Sequence, residues 1–379
     1  MKYKVINSDG HTIEPPDMWL RYLPKKFHDR APRVVKDPKG GDAWEFFPDV
    51  APAAIGMVTT AGQKYEEMHW YGSTYETINK GCFDGQARVE EMIFDGVDAE
   101  VLYPSQRMMT YFTGSDDDEF HKAGVAAYND WILNEFAAAD HRRLIPMYQM
   151  PNLGIENSLA ELKNAKKSGY RGVILTHWPS GSPTLGPDEE VFWAEAESLE
   201  MPVHIHINIG GGKRDAKEAA ISAAAASENL NTMLGGMPFG SFPQTMSDII
   251  HQGIFDRYPT LKMVGVEVQA GWIPAVLAWW DDRYWRNRAM TGCNLKMLPS
   301  EYFRRNWLVT FIIDRFAVKN REDIGVANIM WSNDYPHHGN DWPYSRKVIA
   351  EMFDGIPADE KYAMTCGNAM KLYGLEDDE

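Results

Sequence analysis

Two short segments near opposite ends of the chain carry residue types that bind metal ions. Asp9-Gly10-His11 follows the run Lys4-Val5-Ile6-Asn7-Ser8, and Ser332-Asn333-Asp334-Tyr335-Pro336-His337-His338 follows the apolar Ile329-Met330-Trp331. Side chains two apart on a strand point to the same face, so Asp9 and His11 can converge on one point. A carboxylate oxygen and an imidazole nitrogen are both ligands for zinc and, with lower selectivity, for manganese or iron. On its own the triplet reads equally as a turn cap followed by a loop histidine, because three residues are a weak motif.

Two interior runs add to the set. Strand alternation in Pro202-Val203-His204-Ile205-His206 puts both histidines on one side. His206, nearer the end of the run, is assigned as a metal ligand; His204, one layer deeper, reads as a core histidine hydrogen-bonded to a neighbour. Leu261-Lys262-Met263-Val264-Gly265-Val266 ends on Glu267, ahead of the turn-like Gly271-Trp272-Ile273-Pro274. A carboxyl at that position can act as general acid or base, or pair structurally with an arginine. Asp334, at the end of the last apolar run, can hold the ion and accept a proton from metal-bound water, whose pKa falls toward ~7. Its structural alternative is a helix cap or turn.

Elements must deliver these residues to one place. Eight short apolar or β-branched runs recur along the chain: 4–7, 99–103, 144–148, 172–176, 202–207, 261–267, 307–311 and 328–331. Helix-like stretches with apolar spacings of three and four lie between them, at 118–138, 155–167, 189–199, 244–251, 273–286 and 344–353. Repeated strand-helix units predict an α/β fold with parallel strands. A closed (β/α)8 TIM barrel is preferred over a doubly wound sheet, because the polar candidates fall at strand ends, where such barrels carry their chemistry. Besides those above, these are Arg107 in the loop after Tyr103, His177, and Asp314. A barrel needs ~250 residues, so the 379 residues are read as a single domain, 1–379, with a surplus at 14–84 that covers the barrel mouth or mediates dimer contacts. Smaller insertions are placed at 209–237 and 287–302.

Composition narrows the partners. A net charge of -16 disfavours nucleic acid and anionic membranes, which need basic surfaces, yet permits an anionic small substrate held by a few arginines. The three cysteines, Cys82, Cys293 and Cys366, are far apart and odd in number, which suits a reducing compartment. With neither a leader pattern nor a span of ~20 apolar residues, a soluble cytoplasmic protein is expected. Substrate contacts are expected from Arg107, His177, Trp178, Trp272, Arg315, His337 and His338, with Trp342 nearby. Their cationic and aromatic mixture suits a cyclic or aromatic substrate with an anionic or carbonyl group. Gly210-Gly211-Gly212 lacks the Lys-Ser/Thr pair of a phosphate-binding loop and is read as a flexible loop.

Taken together, Asp9-Gly10-His11-Thr12-Ile13-Glu14-Pro15, Pro202-Val203-His204-Ile205-His206, Gly271-Trp272-Ile273-Pro274 and Met330-Trp331-Ser332-Asn333-Asp334-Tyr335-Pro336-His337 resemble the amidohydrolase superfamily. The nearest branch is the amidohydrolase-related group that includes aminocarboxymuconate-semialdehyde decarboxylase, and the resemblance runs from the first strand to about Lys347. It implies a (β/α)8 barrel with one divalent metal, zinc first and manganese second, and a homodimer or higher homo-oligomer. Carried over by position, the ligands are Asp9, His11, His206 and Asp334. There are two departures. Asp9 stands where the superfamily often has a histidine, and the harder donor shifts preference toward manganese or magnesium. Glu267 stands where the decarboxylases of the group have a catalytic histidine.

The resemblance implies several reactions for one site. Hydrolysis of a C–N or C–C bond beside a carbonyl is expected first, with metal-activated water and Asp334 as proton shuttle assisted by Glu267. Non-oxidative decarboxylation of an aromatic or unsaturated acid is the alternative. A non-catalytic barrel with a structural metal would instead have a tightly closed coordination sphere. A doubly wound nucleotide enzyme is disfavoured because no G-x-G-x-x-G follows the first strand.

Overall fold

The computed structural model describes residues 2–210, 215–227, 234, 236 and 239–376. Among them, eight barrel strands run parallel: β1 (Ile6–His11), β2 (Ala99–Tyr103), β3 (Leu144–Pro146 continued by Tyr148–Gln149), β4 (Val173–His177), β5 (Val203–Gly210), β6 (Met263–Val266), β7 (Trp307–Phe311) and β8 (Ile329–Trp331). Each pairs with its neighbour in chain order. The break in β3 follows Pro146, which has no N–H to offer a ladder. Met147 spans the break, its N–H reaching Leu102 O at 2.9 Å while Tyr148 N–H reaches Gly172 O at 3.0 Å. The residues after β8 meet β1: Asp334 N–H donates to Asp9 O at 3.0 Å, and Asn333 N–H to Asn7 Oδ1 at 2.8 Å. The expected barrel architecture is therefore the one observed.

The runs expected as strands all carry one. β1 extends to His11, so Asp9 and His11 lie on the strand itself rather than beyond it. Helices differ mostly in length, and the one expected at 273–286 runs from Ile273 to Thr291. The helix Gly85–Asp95, capped by the Asp84 side chain on Ala87 N–H, and the helix Gln106–Thr113 were not foreseen. Arg107 accordingly stands in the first turn of a helix, not in a loop. Within 14–84 the chain forms a small antiparallel sheet of Arg33–Lys36, Asp42–Glu45 and Ala53–Ala54. In the insertion placed at 209–237, the described residues include the helix Ala216–Ser227. Gly210 closes β5, and the rest of the glycine run lies outside the described residues.

The barrel interior is filled below the site by Ile6, Val101, Tyr103, Ile145, Ile174, Val264 and Met330, with Tyr373 of the helix Asn368–Tyr373 closing the bottom. His204 belongs to this layer. Its Nδ1 lies 2.9 Å from Val173 O and its Nε2 3.0 Å from Tyr373 Oη, and burial pushes its pKa down to about 4. Gly172 has no room for a Cβ because the His204 ring occupies that space.

Glu14, where the covering segment leaves β1, is buried, and its Oε1 has no hydrogen-bond partner. Burial pushes its pKa up to about 8. The folded protein therefore holds a proton there that the unfolded chain releases near pH 4.5. This contribution to stability is complete below that pH and is lost as pH rises through about 8, on the order of 5 kcal/mol at most. The urea midpoint of the wild type is expected to fall more steeply between pH 5 and 8.5 than that of Glu14→Gln. Parallel pH profiles would refute the assignment.

Candidate active site

The site begins with the backbone of β1. Its register against β2 slips by one residue between Asn7 and Gly10, a bulge of the kind found beside active sites. The Asn7 side chain fills the bulge, accepting from Asp9 N–H at 3.2 Å and Asn333 N–H at 2.8 Å, so it ties the first strand to the last. Gly10 keeps this packing close, since a Cβ would sit 3.0 Å from Asn7 Nδ2 and 3.3 Å from Glu100 Oε2 and would press on both side chains. Ile207 within β5, and Glu267 and Asp334 just beyond β6 and β8, adopt φ of 61°, 57° and 55°. Such left-handed non-glycine residues cost about 1–3 kcal/mol each and cluster where surrounding structure imposes a side-chain direction.

That backbone brings Asp9, His11, His206 and Asp334 together. Asp9 Oδ1 lies 3.3 Å from His11 Nε2 and 3.5 Å from His206 Nε2. The two imidazole Nε2 atoms are 3.1 Å apart, and His11 Nε2 is 3.4 Å from Asp334 Oδ1. Glu267 Oε2 stands 3.8 Å from His206 Nε2. His337, expected as a substrate contact, is instead part of the cluster: its ring stacks on His11 at 4.0 Å, and its Nδ1 is 3.1 Å from Asp334 Oδ1. The ligand atoms of three sets, Asp9-His11-His206, His11-Asp334-His337 and Asp9-Glu267-Asp334, lie within 4.8 Å of one another.

Electrostatics explain why this cluster calls for a cation. Burial and the repulsion of Asp9 push Asp334 well above the usual carboxylate range; burial and the charge of Asp334 do the same to Glu267. Burial would also raise Asp9, but His206 beside it outweighs that and holds Asp9 below the ordinary range. Against its own burial, His206 is lifted to about 9 by Asp9, while burial pushes His11 and His337 down to about 3. Both Asp9 oxygens and Asp334 Oδ1 are buried without a hydrogen-bond partner. Acceptor atoms left this way carry a large desolvation cost that a bound cation removes. The residues present thus fit a divalent metal ion.

The cluster is not enclosed. His206 lines a cavity of about 1020 Å³ together with Arg107, His177 and Asn208. The segment 14–84 lines part of this cavity through Phe46, Ala53, Trp70 and Tyr71. Thr60 fastens that segment to the site, its N–H donating to Pro336 O at 2.9 Å and its hydroxyl to His337 O at 2.9 Å. The guanidinium of Arg107 forms no ion pair among the described residues, and burial lowers its pKa. An open cavity argues against the closed sphere of a purely structural metal.

Other expected contacts stand elsewhere. Trp178 is a buried core residue, and Trp272 packs on Phe239 and Phe242 with its Nε1–H on Val268 O at 2.8 Å. Arg315 lies outside the cavity, 3.8 Å from Glu351 beside a separate hollow of about 280 Å³. His338 is exposed and does not line the cavity. Asp314 caps the helix Arg315–Lys319 and accepts the N–H groups of Ala270 and Gly271. These residues follow strands in the chain, but the loops turn them outward or into the core. Sequence reasoning missed Arg88, a buried arginine whose only local signal was the Asp84 cap of its helix.

The model of a family described as Amidohydrolase matches residues 79–375, so Asp9 and His11 precede the match. The 2-amino-3-carboxymuconate-6-semialdehyde decarboxylase of Dictyostelium discoideum is 22% identical over 310 residues, covering 80% of each chain. Among solved structures, an amidohydrolase of Mycobacterium avium subsp. paratuberculosis K-10 superposes with a TM-score of 0.72 at 19% identity, covering 99% of both chains. A dihydroxybenzoic acid decarboxylase of Polaromonas sp. JS666, with bound manganese and the inhibitor 2-nitroresorcinol, gives 0.66 at 16% identity over 100% of this chain and 98% of that one.

Proposed function

The chain belongs to the amidohydrolase family and is a metal-dependent enzyme, and from there we propose that it is a carboxy-lyase, removing CO2 non-oxidatively from an aromatic or unsaturated carboxylic acid. Arg107 carries this reading: a largely buried guanidinium with no ion-pair partner among the described residues, on the wall of the cavity that His206 also lines, is a seat for an anionic substrate. Hydrolysis, favoured from the residues alone, becomes the second reading. The names of the relatives support decarboxylation; Glu267, in the place of the histidine expected in decarboxylases, supports hydrolysis.

Asp9, His11, His206 and Asp334 would hold the ion, with manganese supported by the Polaromonas relative and zinc by the imidazole donors. Bound there, a divalent cation supplies positive charge for the substrate carboxylate and an adjacent oxygen. The protein's own part is to orient the acid through Arg107 and to deliver a proton to the carbon that loses CO2. The C–CO2 bond breaks, its electron pair stays on carbon, and Glu267 gives that carbon its proton, regaining one from solvent. Among the described residues no helix is long and apolar enough to cross a membrane. The cysteines form no disulfide, which supports a cytoplasmic setting. Exposed Trp279, Trp285 and Met290 on the helix Ile273–Thr291 support a homo-oligomer.

The test is CO2 release by manganese- or zinc-loaded protein from a panel of hydroxybenzoic and muconic-type acids, beside amides and cyclic ketones. Hydrolysis without CO2 release would overturn the proposal. In Arg107→Leu, KM for the acid is expected to rise ~100-fold with metal content unchanged. An unchanged KM would remove Arg107 from substrate binding. Glu267→Gln is expected to keep its metal while kcat falls roughly 100-fold, the ordinary worth of a positioned acid. Unaltered kcat would make Glu267 structural.

A further inference from the structure

The cavity is larger than a single aromatic acid requires. A site of ~150 Å³ accommodates benzene, whereas this one measures about 1020 Å³. Its extra space has an identifiable origin. Ala216, Ala219, Ala220 and Ala223 of the helix Ala216–Ser227 all line the cavity, at spacings that place them on one helical face. A helix covering a protein interior ordinarily presents Leu, Ile or Phe there; here the described lining residues of the helix, Ser222, Ala224 and Ala225 included, are all small. Opposite stand Phe46, Pro52 and Trp70 of the covering segment, also apolar. Polar groups that can fix a head group, Arg107, His177 and His206, belong to the same cavity.

Resting on the carboxy-lyase reading, we propose that the substrate is an aromatic acid bearing an extended apolar substituent, a second ring or an alkyl chain of four or more carbons, seated between the alanine face and the covering segment. The head group is anchored by its charge, and the substituent supplies binding energy through burial of apolar surface, remote from the bond that breaks.

The experiment uses metal-loaded full-length protein and two matched acids, 2-hydroxybenzoic acid and its 6-pentyl derivative. Affinities are measured calorimetrically with the corresponding nitrophenols as non-reacting probes, and CO2 release is measured with the acids. Burial of each methylene is worth roughly threefold, so the pentyl probe is expected to bind ~50-fold or more tightly than the short one. In Ala220→Phe, which fills the space, the ratio of the two affinities is expected to collapse to within about threefold. A near-equal ratio in the wild type, or a ratio that Ala220→Phe leaves intact, overturns the proposal; so does failure of both probes to bind. Preference for the pentyl probe with no CO2 from either acid upholds the extended-substituent assignment and refutes the carboxy-lyase reading. Equal affinities with CO2 released from both acids do the reverse.

Discussion

Asp334→Ala is expected to leave the protein folded, without its metal and without measurable turnover. Asp334 is 1% exposed, its Oδ1 has no hydrogen-bond partner, and it faces His11 Nε2 at 3.4 Å. Loss of a direct ligand should exceed the 10–100-fold cost typical of disturbing a ligand's support, so metal per chain should drop from about one to below a tenth. Turnover should fall by at least ~10³. Alanine at φ 55° adds backbone strain, and Asp334→Asn separates the two effects, because asparagine tolerates that conformation. Both variants should lose metal by elemental mass spectrometry while keeping the far-ultraviolet circular dichroism of the wild type. His206→Ala should behave alike. Full metal content in Asp334→Asn would remove Asp334 from the ligand set.

The second large effect is on stability. Arg88 is fully buried and does four things at once. Its Nη1 donates to Glu100 Oε2 at 2.6 Å, its Nε to Gly81 O at 2.7 Å and its Nη2 to the carbonyl of His11, and its guanidinium lies 4.1 Å from the centre of the Tyr335 ring. It thus grips the two segments that carry His11 and Asp334, one after the other in space though more than 300 positions apart in the chain. Glu100 is 2% exposed, and burial raises its pKa even with Arg88 beside it. Arg88→Met leaves that carboxyl without its partner, at an expected cost of ~3–5 kcal/mol in urea unfolding. Arg88→Met with Glu100→Gln should recover at least ~1 kcal/mol, because the stranded charge is gone. A loss below ~1 kcal/mol in the single variant would show that the pair contributes little.

These two predictions concern residues of very different legibility. Asp9, His11 and His206 were readable because strand alternation is a local rule, two residues apart meaning one face, and Asp334 because it follows the last apolar run. The eight runs and six of the helices were readable for the same reason, since periods of two and of 3.6 are imposed by backbone geometry, whereas Gly85–Asp95 and Gln106–Thr113 were not. His204 was placed in the core by the same rule, one layer below His206. Glu267 could be placed at a strand end, though the neighbours that raise its pKa come from other strands.

Tertiary structure decided the rest. His337 and Trp178 both follow strands, yet one stacks on His11 and the other packs in the core, because a loop's direction depends on what it folds against. Arg315 reads like Arg107 in the chain, but a helix turns it toward Glu351, while the helix Gln106–Thr113 sets Arg107 on the cavity wall. Neither the grip of Arg88 on His11 nor the hydrogen bonds of Thr60 to the loop after Asp334 has any local pattern, since each joins positions far apart in the chain. The chain's local periodicities specified which residues sit on strands and which faces they share. Closure of the barrel, which brings the first strand against the last, specified which of those faces meet in one cluster, and residues of the 14–84 segment bound the space that stands open beside it.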